Sequence, residues 1–126
     1  DLVKRKGILA RTIIQSFDPR TLQVLHRVDS TATLALLVFN ADGFKKNINR
    51  LGFTRAIYSP NFILVNKKLI TACHRQHIKV IPWTVNDADK MKKLQAAGVD
   101  GIISDYPNLV IQVCRAPFDR VIPQKH

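Results

Sequence analysis

The sequence predicts an α/β protein whose strands form a parallel sheet. Five short apolar runs alternate with helix-like segments, and their centres lie near residues 14, 36, 57, 81 and 103, about 21 to 24 residues apart. A βα unit repeated at this spacing indicates one of two architectures. One is a complete five-stranded doubly wound domain, and the other is part of a (β/α)8 barrel.

The stretch from Lys79 to Asp87 begins the clearest of these units. Its residues, Lys-Val-Ile-Pro-Trp-Thr-Val-Asn-Asp, combine an apolar β-branched run, a lone tryptophan and a polar exit. Such a run indicates a buried strand that carries Trp83 to the edge of the sheet, where the next loop begins. A helix over Ala88 to Ala97 then ends at a glycine, and a strand over Gly101 to Asp105 follows at once.

Cap and turn residues set the other predicted elements. Asp18 followed by Pro19 is typical of a helix start, and Gly52 is typical of a helix end. The remaining predicted elements are strands at residues 11–17, 33–39 and 55–60 and helices at residues 19–26, 44–51, from 66 onward and 108–113. The tail to His126 is expected to be irregular. Residues 1–7 look like the end of a helix, so we expect the chain to begin inside a longer protein.

The formal net charge of +11 raises the hypothesis of a polyanionic partner. The basic residues are spread along the predicted helices, however, and aromatic residues are not interleaved with them, so we do not expect nucleic-acid binding. Attraction to an anionic substrate or a lipid surface stays open. The apolar runs are too short to cross a bilayer. The sequence does not fix the compartment, with the cytoplasm favoured.

The cysteines and histidines form no recognisable metal or redox motif. Cys73 and Cys114 lie far apart in apolar helical contexts, which predicts buried free thiols. His74 and His77 have the i, i+3 spacing of a metal-binding pair, but the sequence offers no third ligand near them. We therefore expect these histidines to be surface residues between a helix and a strand.

The strand exits argue against the commonest five-stranded domain of this size, a phosphate-accepting receiver. That domain needs an acidic pair after its first strand and an acceptor aspartate after its third. Here these exits read Ser-Phe-Asp from residue 16 and Tyr-Ser-Pro from residue 58. The strand exits also lack a glycine-rich loop of the kind that cradles phosphate. The chemistry of a receiver domain is therefore not encoded.

Three motifs, in order, resemble the second half of the glycerophosphodiester phosphodiesterases, a family of (β/α)8 TIM barrels. They are Ile-Gln-Ser-Phe-Asp at residues 14–18, Ile-Pro-Trp-Thr-Val-Asn at residues 81–86, and Gly-Val-Asp-Gly-Ile-Ile-Ser-Asp-Tyr-Pro at residues 98–107. The resemblance implies that residues 1–126 are the C-terminal part of such a barrel domain, strands four to eight. We then expect about 100 to 130 further residues on the N-terminal side.

The family hydrolyses glycerophosphodiesters of lipid and glycerol metabolism to glycerol 3-phosphate and an alcohol. Histidines serve as acid and base, and carboxylates hold a divalent metal, calcium or magnesium. The family's His-Arg-Gly and Glu-x-Asp motifs, second histidine and further glutamate belong to the first three strands and have no counterpart here. The resemblance therefore implies no catalytic residue and no metal ligand in this segment, which alone is expected to be inactive without the N-terminal half of the barrel.

Five residues at strand exits are candidate substrate contacts by this resemblance. Phe17 and Trp83 match the family's apolar contacts to the glycerol moiety, and Ser16, Leu37 and Tyr58 are weaker candidates at their own exits. The carboxyl ends of parallel strands meet at one edge of a barrel, so these side chains are expected to lie near one another.

Three aspartates also follow strands at this edge. Asp18 and Asp87 each precede a predicted helix, which predicts that both are helix caps. For Asp105 a structural role in the rim and a functional role stay equally open.

Two other hypotheses stay open. The chain could be a non-catalytic α/β binding or interaction domain with an anionic partner, or part of a barrel whose upstream half lacks the metal carboxylates. An open arc of five strands also leaves unpaired edges and an uncovered apolar inner face. In isolation the chain is therefore expected to associate or to pack loosely.

Overall fold

The fold is an arc of parallel strands with helices along one side. The computed structural model describes residues 13–114 and the backbone of residues 120–123. The strands are β1 (Ile13–Ser16), β2 (Thr33–Val38), β3 (Ile57–Pro60), β4 (Gly101–Ser104) and β5 (Arg120–Pro123). The helices are α1 (Pro19–Val28), α2 (Phe44–Leu51), α3 (Lys67–Arg75), α4 (Ala88–Ala97) and α5 (Pro107–Cys114), with a 3₁₀ turn at Phe62–Leu64.

The helix ends follow the caps that the sequence predicts. The side chains of Asp18, Asn66 and Asp87 each accept a backbone N–H from the first turn of the helix that follows. Helix α2 ends at Gly52 with φ +80°, and α4 ends at Gly98 with φ +104°, in the left-handed region that favours glycine. All five predicted helices are confirmed, each starting within one residue of its predicted position.

The predicted strand that carries Trp83 is present as an extended segment, but it does not form a continuous ladder with its neighbours. Residues 80–85, here called the Val80–Val85 segment, meet β3 through two isolated parallel bridges at Val80 and Trp83. Between these bridges Pro60 of β3 has no N–H to donate, so the Ile81 carbonyl accepts the Ser59 hydroxyl instead and the ladder is interrupted there. On the other side, Ile103 donates its N–H to the Pro82 carbonyl at 2.9 Å and accepts the Val85 N–H at 3.0 Å. The segment therefore joins β3 to β4.

The order of the strands decides between the two architectures that the sequence left open. Strands β1, β2 and β3 pair in parallel in chain order, and the Val80–Val85 segment and β4 follow in the same order. A doubly wound sheet reverses its order at a switch point. A sequential order is instead the arrangement of a (β/α)8 barrel.

The expectation of an irregular tail is wrong for residues 120–123. These residues form β5, which pairs in parallel with β4, Gly101 opposite Arg120 and Ser104 opposite Pro123. A strand edge with free N–H and C=O groups accepts another strand, and the Val-Ile dipeptide in this run favours extended backbone. The predicted helix end at residues 1–7 and the start of the first predicted strand lie outside the described residues.

Side chains alternate between two apolar clusters on opposite sides of the strands. The helix-facing core includes residues of β2, β3, the Val80–Val85 segment and β4: Leu34, Leu36, Val38, Tyr58, Val80 and Ile102. The inner-face cluster consists of Ala35, Ile57, Ile81 and Ile103. The members of the inner-face cluster are at most 7% exposed, so this face is not uncovered as the sequence suggested. Inward side chains of a strongly curved parallel sheet pack against one another.

None of the helices in residues 13–114 combines the length and the apolarity required to span a bilayer.

The two cysteines are buried free thiols, as predicted. Burial raises the pKa of the Cys73 thiol from 9.0 to about 12, and burial also raises the pKa of Cys114.

The raised pKa of Cys73 predicts slow chemistry at this thiol and a loss of stability at alkaline pH. The unfolded thiol ionises near pH 9, before the folded one does near pH 12, so the free energy of unfolding contributed by this group is constant below pH 9 and falls as pH rises from 9 towards 12. We expect iodoacetamide to label Cys73 only after urea unfolding, and Cys73→Ala to flatten the alkaline slope. Native labelling as fast as in urea would contradict this burial.

A second prediction concerns Tyr58 in the helix-facing core. Its hydroxyl accepts the Asn47 Nδ2–H at 3.0 Å, and burial raises its pKa. Tyr58→Phe would leave a buried amide hydrogen without its acceptor, so the free energy of unfolding should fall by about 1–3 kcal/mol. Urea unfolding measures the change, with Tyr106→Phe at an exposed site as the matched control. Equal losses in the two variants would contradict the role of this hydrogen bond.

Candidate functional site

Three aromatic side chains meet where the parallel strands end. Phe17 follows β1, Phe39 follows β2, and Trp83 belongs to the Val80–Val85 segment on the far side of β3. The Phe17 and Phe39 rings contact the indole edge-to-face, with centroids 5.6 Å and 5.9 Å away. Phe17 and Phe39 are 58% and 59% exposed. These three residues, here called the aromatic cluster, present an apolar surface to solvent at the carboxyl edge of the sheet.

The orientation of the indole is fixed by β3. Trp83 donates its Nε1–H to the carbonyl oxygen of Ser59 at 2.7 Å. The buried hydroxyl of Ser59 donates in turn to the carbonyl oxygen of Ile81 at 2.6 Å. The indole is thus bonded to the backbone of β3, and the bond from Ser59 to Ile81 ties β3 to the segment that carries the ring. The site is therefore preorganised around Trp83.

Three of the five predicted contact residues lie on this inner face. Phe17 and Trp83 touch each other, and Leu37 pairs in register with Ser59 and is half-buried. Phe39 was not among the predicted contacts. It lies two residues after Leu37, so strand alternation from Leu37 was the signal that could have identified it.

The structure does not bring Ser16 and Tyr58 to the aromatic cluster. Ser16 pairs in register with Leu36 of the helix-facing core, and its Oγ accepts the Asp18 N–H at 3.0 Å. Tyr58 is 2% exposed and packs edge-to-face against Phe44 of α2 at 5.2 Å. Successive residues of a strand point to opposite faces, so both side chains point towards the helices although both lie near strand exits.

A hydrogen-bond network joins the last two strand exits. Asn86 Oδ1 accepts the Ser104 hydroxyl at 3.1 Å and the Asp105 N–H at 3.0 Å, and Asn86 Nδ2 donates to Asp105 Oδ2 at 2.8 Å. The Ser104 hydroxyl oxygen also accepts the Tyr106 N–H at 2.9 Å. Asp105 thus stabilises this edge of the sheet, because both its carboxylate and its backbone N–H bond to the side chain of Asn86. This network gives a structural role to the polar residues Asn86, Ser104 and Asp105 that follow these two strands.

The other acids at this edge act as helix caps, as predicted. Asp18 accepts the Arg20 N–H at 2.9 Å, and hydrogen bonds from the Arg20 side chain and backbone lower the pKa of Asp18. Asp87 accepts the Lys90 N–H at 3.0 Å. Within the described residues, no three His, Cys, Asp or Glu side chains are grouped so that they could hold a metal ion. This donor set does not fit a divalent cation, which needs several converging oxygens.

The fold brings a carboxylate to one of the two histidines that the sequence left without a partner. Asp100 Oδ2 lies 2.8 Å from His74 Nε2 and also accepts the Val80 N–H at 2.7 Å. His74 and Asp100 are 26 residues apart, so sequence proximity could not reveal the contact. The pair ties α3 to the start of the Val80–Val85 segment, at the end opposite to the aromatic cluster.

Comparison with known proteins adds independent information. Residues 2–109 match the model of the glycerophosphoryl diester phosphodiesterase family. A glycerophosphodiester phosphodiesterase of Caldanaerobacter subterraneus subsp. tengcongensis is 36% identical over 113 residues, which are 90% of this chain and 46% of that protein. The chain spans less than half the length of the curated relatives it matches.

Solved structures show the same fold. A glycerophosphodiester phosphodiesterase from Parabacteroides distasonis superposes with a TM-score of 0.75 at 23% identity, covering 90% of this chain and 47% of that one. An Oleispira antarctica phosphodiesterase, solved with its product sn-glycerol-3-phosphate, gives 0.71 at 17% identity, covering 82% and 42%. The family match covers most of the chain, and the sequential parallel strands agree with these folds. The chain therefore belongs to the glycerophosphoryl diester phosphodiesterase family.

Proposed function

We propose that this chain is the substrate-contact half of an enzyme that hydrolyses glycerophosphodiesters to glycerol 3-phosphate and an alcohol. In this proposal the chain supplies strands four to eight of a (β/α)8 barrel, which are β1 to β3, the Val80–Val85 segment and β4. Strand β5 follows the eighth strand and occupies the edge of β4 where the first strand of the barrel would pair in the full-length protein. Family membership supports the reaction. The main support for a substrate-contact role is the exposed aromatic cluster, because it lies at the carboxyl edge where barrel enzymes bind substrate.

The chemistry of the aromatic cluster suits the glycerol portion of such a substrate. Glycerol presents C–H groups that pack on aromatic faces, whereas its phosphate needs cations or N–H donors. Trp83 is held by its bond to Ser59 and supplies a rigid surface, and Phe17 and Phe39 flank it. Leu37 on the same face would extend this apolar floor. The cluster would orient the glycerol and exclude water from one side of it.

The groups that act on phosphorus would come from the part of the barrel that precedes these strands. The described residues of this chain do not form a set that fits a divalent metal. A bound calcium or magnesium ion would act as a Lewis acid on the phosphoryl oxygens. The net charge of +11 would attract an anionic diester to the barrel.

Substitutions in the full-length protein test whether the aromatic cluster contacts the substrate. Trp83→Ala should lower kcat/KM for glycerophosphocholine roughly 10- to 100-fold, mostly through a higher KM, because a contact to bound substrate is lost. Phe17→Ala should act in the same direction with a smaller effect. Phe53→Leu is the matched control, because Phe53 stacks on His26 at 4.0 Å outside the cluster. Steady-state kinetics on variants with native circular dichroism gives the comparison.

An unchanged kcat/KM in Trp83→Ala would overturn this assignment, as would an equal loss in Phe53→Leu. Trp83→Phe refines the test, since it keeps an aromatic ring but loses the N–H donor to Ser59. Its kcat/KM should lie between those of the wild type and Trp83→Ala.

Metal removal and truncation test whether the groups that act on phosphorus lie outside residues 1–126. A chelator should abolish release of glycerol 3-phosphate by the full-length protein, and calcium or magnesium should restore it. Residues 1–126 alone should release none under either condition. Chelator-resistant hydrolysis would contradict metal dependence, and hydrolysis by the short chain would contradict the division of roles. Absence of hydrolysis by a folded full-length protein would favour the alternative, a non-catalytic domain that binds an anionic partner.

A further inference from the structure

A cleft of about 600 Å³ opens between α2 and α3 on the helix-facing side of the sheet. Its lining is mainly apolar and includes Phe44, Tyr58, Pro60, Ile63, Leu64 and Leu69. The aromatic cluster lies on the other face of the same strands, because Tyr58 and Ser59 point in opposite directions. We call this the α2–α3 cleft.

The size and lining of the α2–α3 cleft match those of ligand sites. Small-molecule pockets enclose about 300–1,000 Å³ and are mostly apolar with a few polar groups. At about 30 Å³ for a group the size of a water molecule, the cleft has room for roughly 20 such groups. Ile63, which lines the cleft, is 64% exposed, and a ligand that buried this large apolar side chain would gain binding free energy. A single acyl chain would fill this space.

The polar residues of the α2–α3 cleft favour an anion at its opening. Lys45 and Lys68 contribute to the lining, and among the described residues that line the cleft none is acidic. Asp42 precedes α2 but pairs with Arg50 at 2.7 Å, and Asp42 is not part of the lining. The cleft therefore combines an apolar interior with two cations from the helices on its two sides.

The start of α2 adds to this positive character. Its N-cap is Gly43, which makes no side-chain cap, and its first turn contains no acidic residue. A Cβ added at Gly43 would meet nothing within 4 Å, so the space in front of the helix is open. The partial positive charge of a helix N-terminus favours an anion nearby. This feature supports the two lysines and does not by itself define the site.

We propose that the α2–α3 cleft binds a single-chain anionic amphiphile, an acyl chain that ends in a carboxylate or a phosphate monoester. The chain would contact Phe44, Leu64 and Leu69, and the anionic head would lie between Lys45 and Lys68. A second copy of this segment is a poor occupant, because its 126 residues carry a net charge of +11 and would bring like charge to the two lysines of the cleft.

Binding to the full-length protein tests the proposal. The probes are tetradecanoate and monotetradecanoyl lysophosphatidate below their micelle concentrations, with tetradecanoyl monoglycerol as the uncharged control, and isothermal titration calorimetry as the measurement. We expect saturable binding of at least one anion with a Kd on the order of 1–10 µM, and binding of the monoglycerol at least about tenfold weaker. The tighter of the two anions identifies the head group as carboxylate or phosphate.

Matched variants localise the binding. Ala72 lines the cleft and Thr71, its exposed neighbour in α3, does not. Ala72→Phe should fill the cleft and weaken anion binding at least about tenfold, whereas Thr71→Phe should change it less than about twofold. A double substitution of Lys45→Gln with Lys68→Gln should weaken binding about fivefold or more and reduce its salt dependence, with Lys46→Gln and Lys67→Gln as the exposed control pair.

Three outcomes would overturn the proposal. They are no saturable binding of either anion, equal weakening by Ala72→Phe and Thr71→Phe, and monoglycerol binding as tight as that of the anions. Sedimentation velocity detects a competing occupant. If Ala72→Phe converts an oligomer to a monomer and neither anion binds, the cleft is a self-association surface and the proposal is wrong.

Discussion

The alternation of side chains across β3 and its neighbour is the constraint on which both surfaces of this protein depend. Tyr58 and Ser59 are adjacent in sequence, yet one belongs to the helix-facing core and the other holds Trp83 through its carbonyl oxygen. The Ser59 hydroxyl is bonded to Ile81 in a place where an unpaired polar group would be costly. One strand thus anchors the indole on one side and helix packing on the other.

The Val80–Val85 segment transmits this constraint along the sheet. Pro60 of β3 and Pro82 of the segment have no N–H to donate, so the segment relies on individual hydrogen bonds to β3 and β4. It also relies on the Asp100 carboxylate, which accepts the Val80 N–H. Asp100 also contacts His74 and so connects the segment to α3. At the other end, Asn86 links the segment to Ser104 and Asp105. The position of Trp83 is therefore determined from both ends of its own strand.

This arrangement suits the proposed role of the chain as the substrate-contact half of a barrel. A rigid apolar contact surface needs neighbouring strands that are firmly packed, and the described residues provide that. Chemistry at phosphorus needs acids, bases and metal ligands, whereas the described acids at this edge form helix caps and rim bonds. The α2–α3 cleft lies behind the sheet, so a ligand there and a ligand at the aromatic cluster would not compete for space.

The sequence by itself determined the βα order, the helix starts and ends, and the position of Phe17 and Trp83 at strand exits, because caps, glycines and apolar runs act through neighbouring residues. Only the tertiary structure decided which face each strand residue occupies. Tyr58 and Ser16 lie at strand exits but point to the helices, and Phe39 joins the cluster, since a strand side chain changes face with each residue. Contacts such as His74 with Asp100 depend on packing between distant segments, which local patterns do not encode.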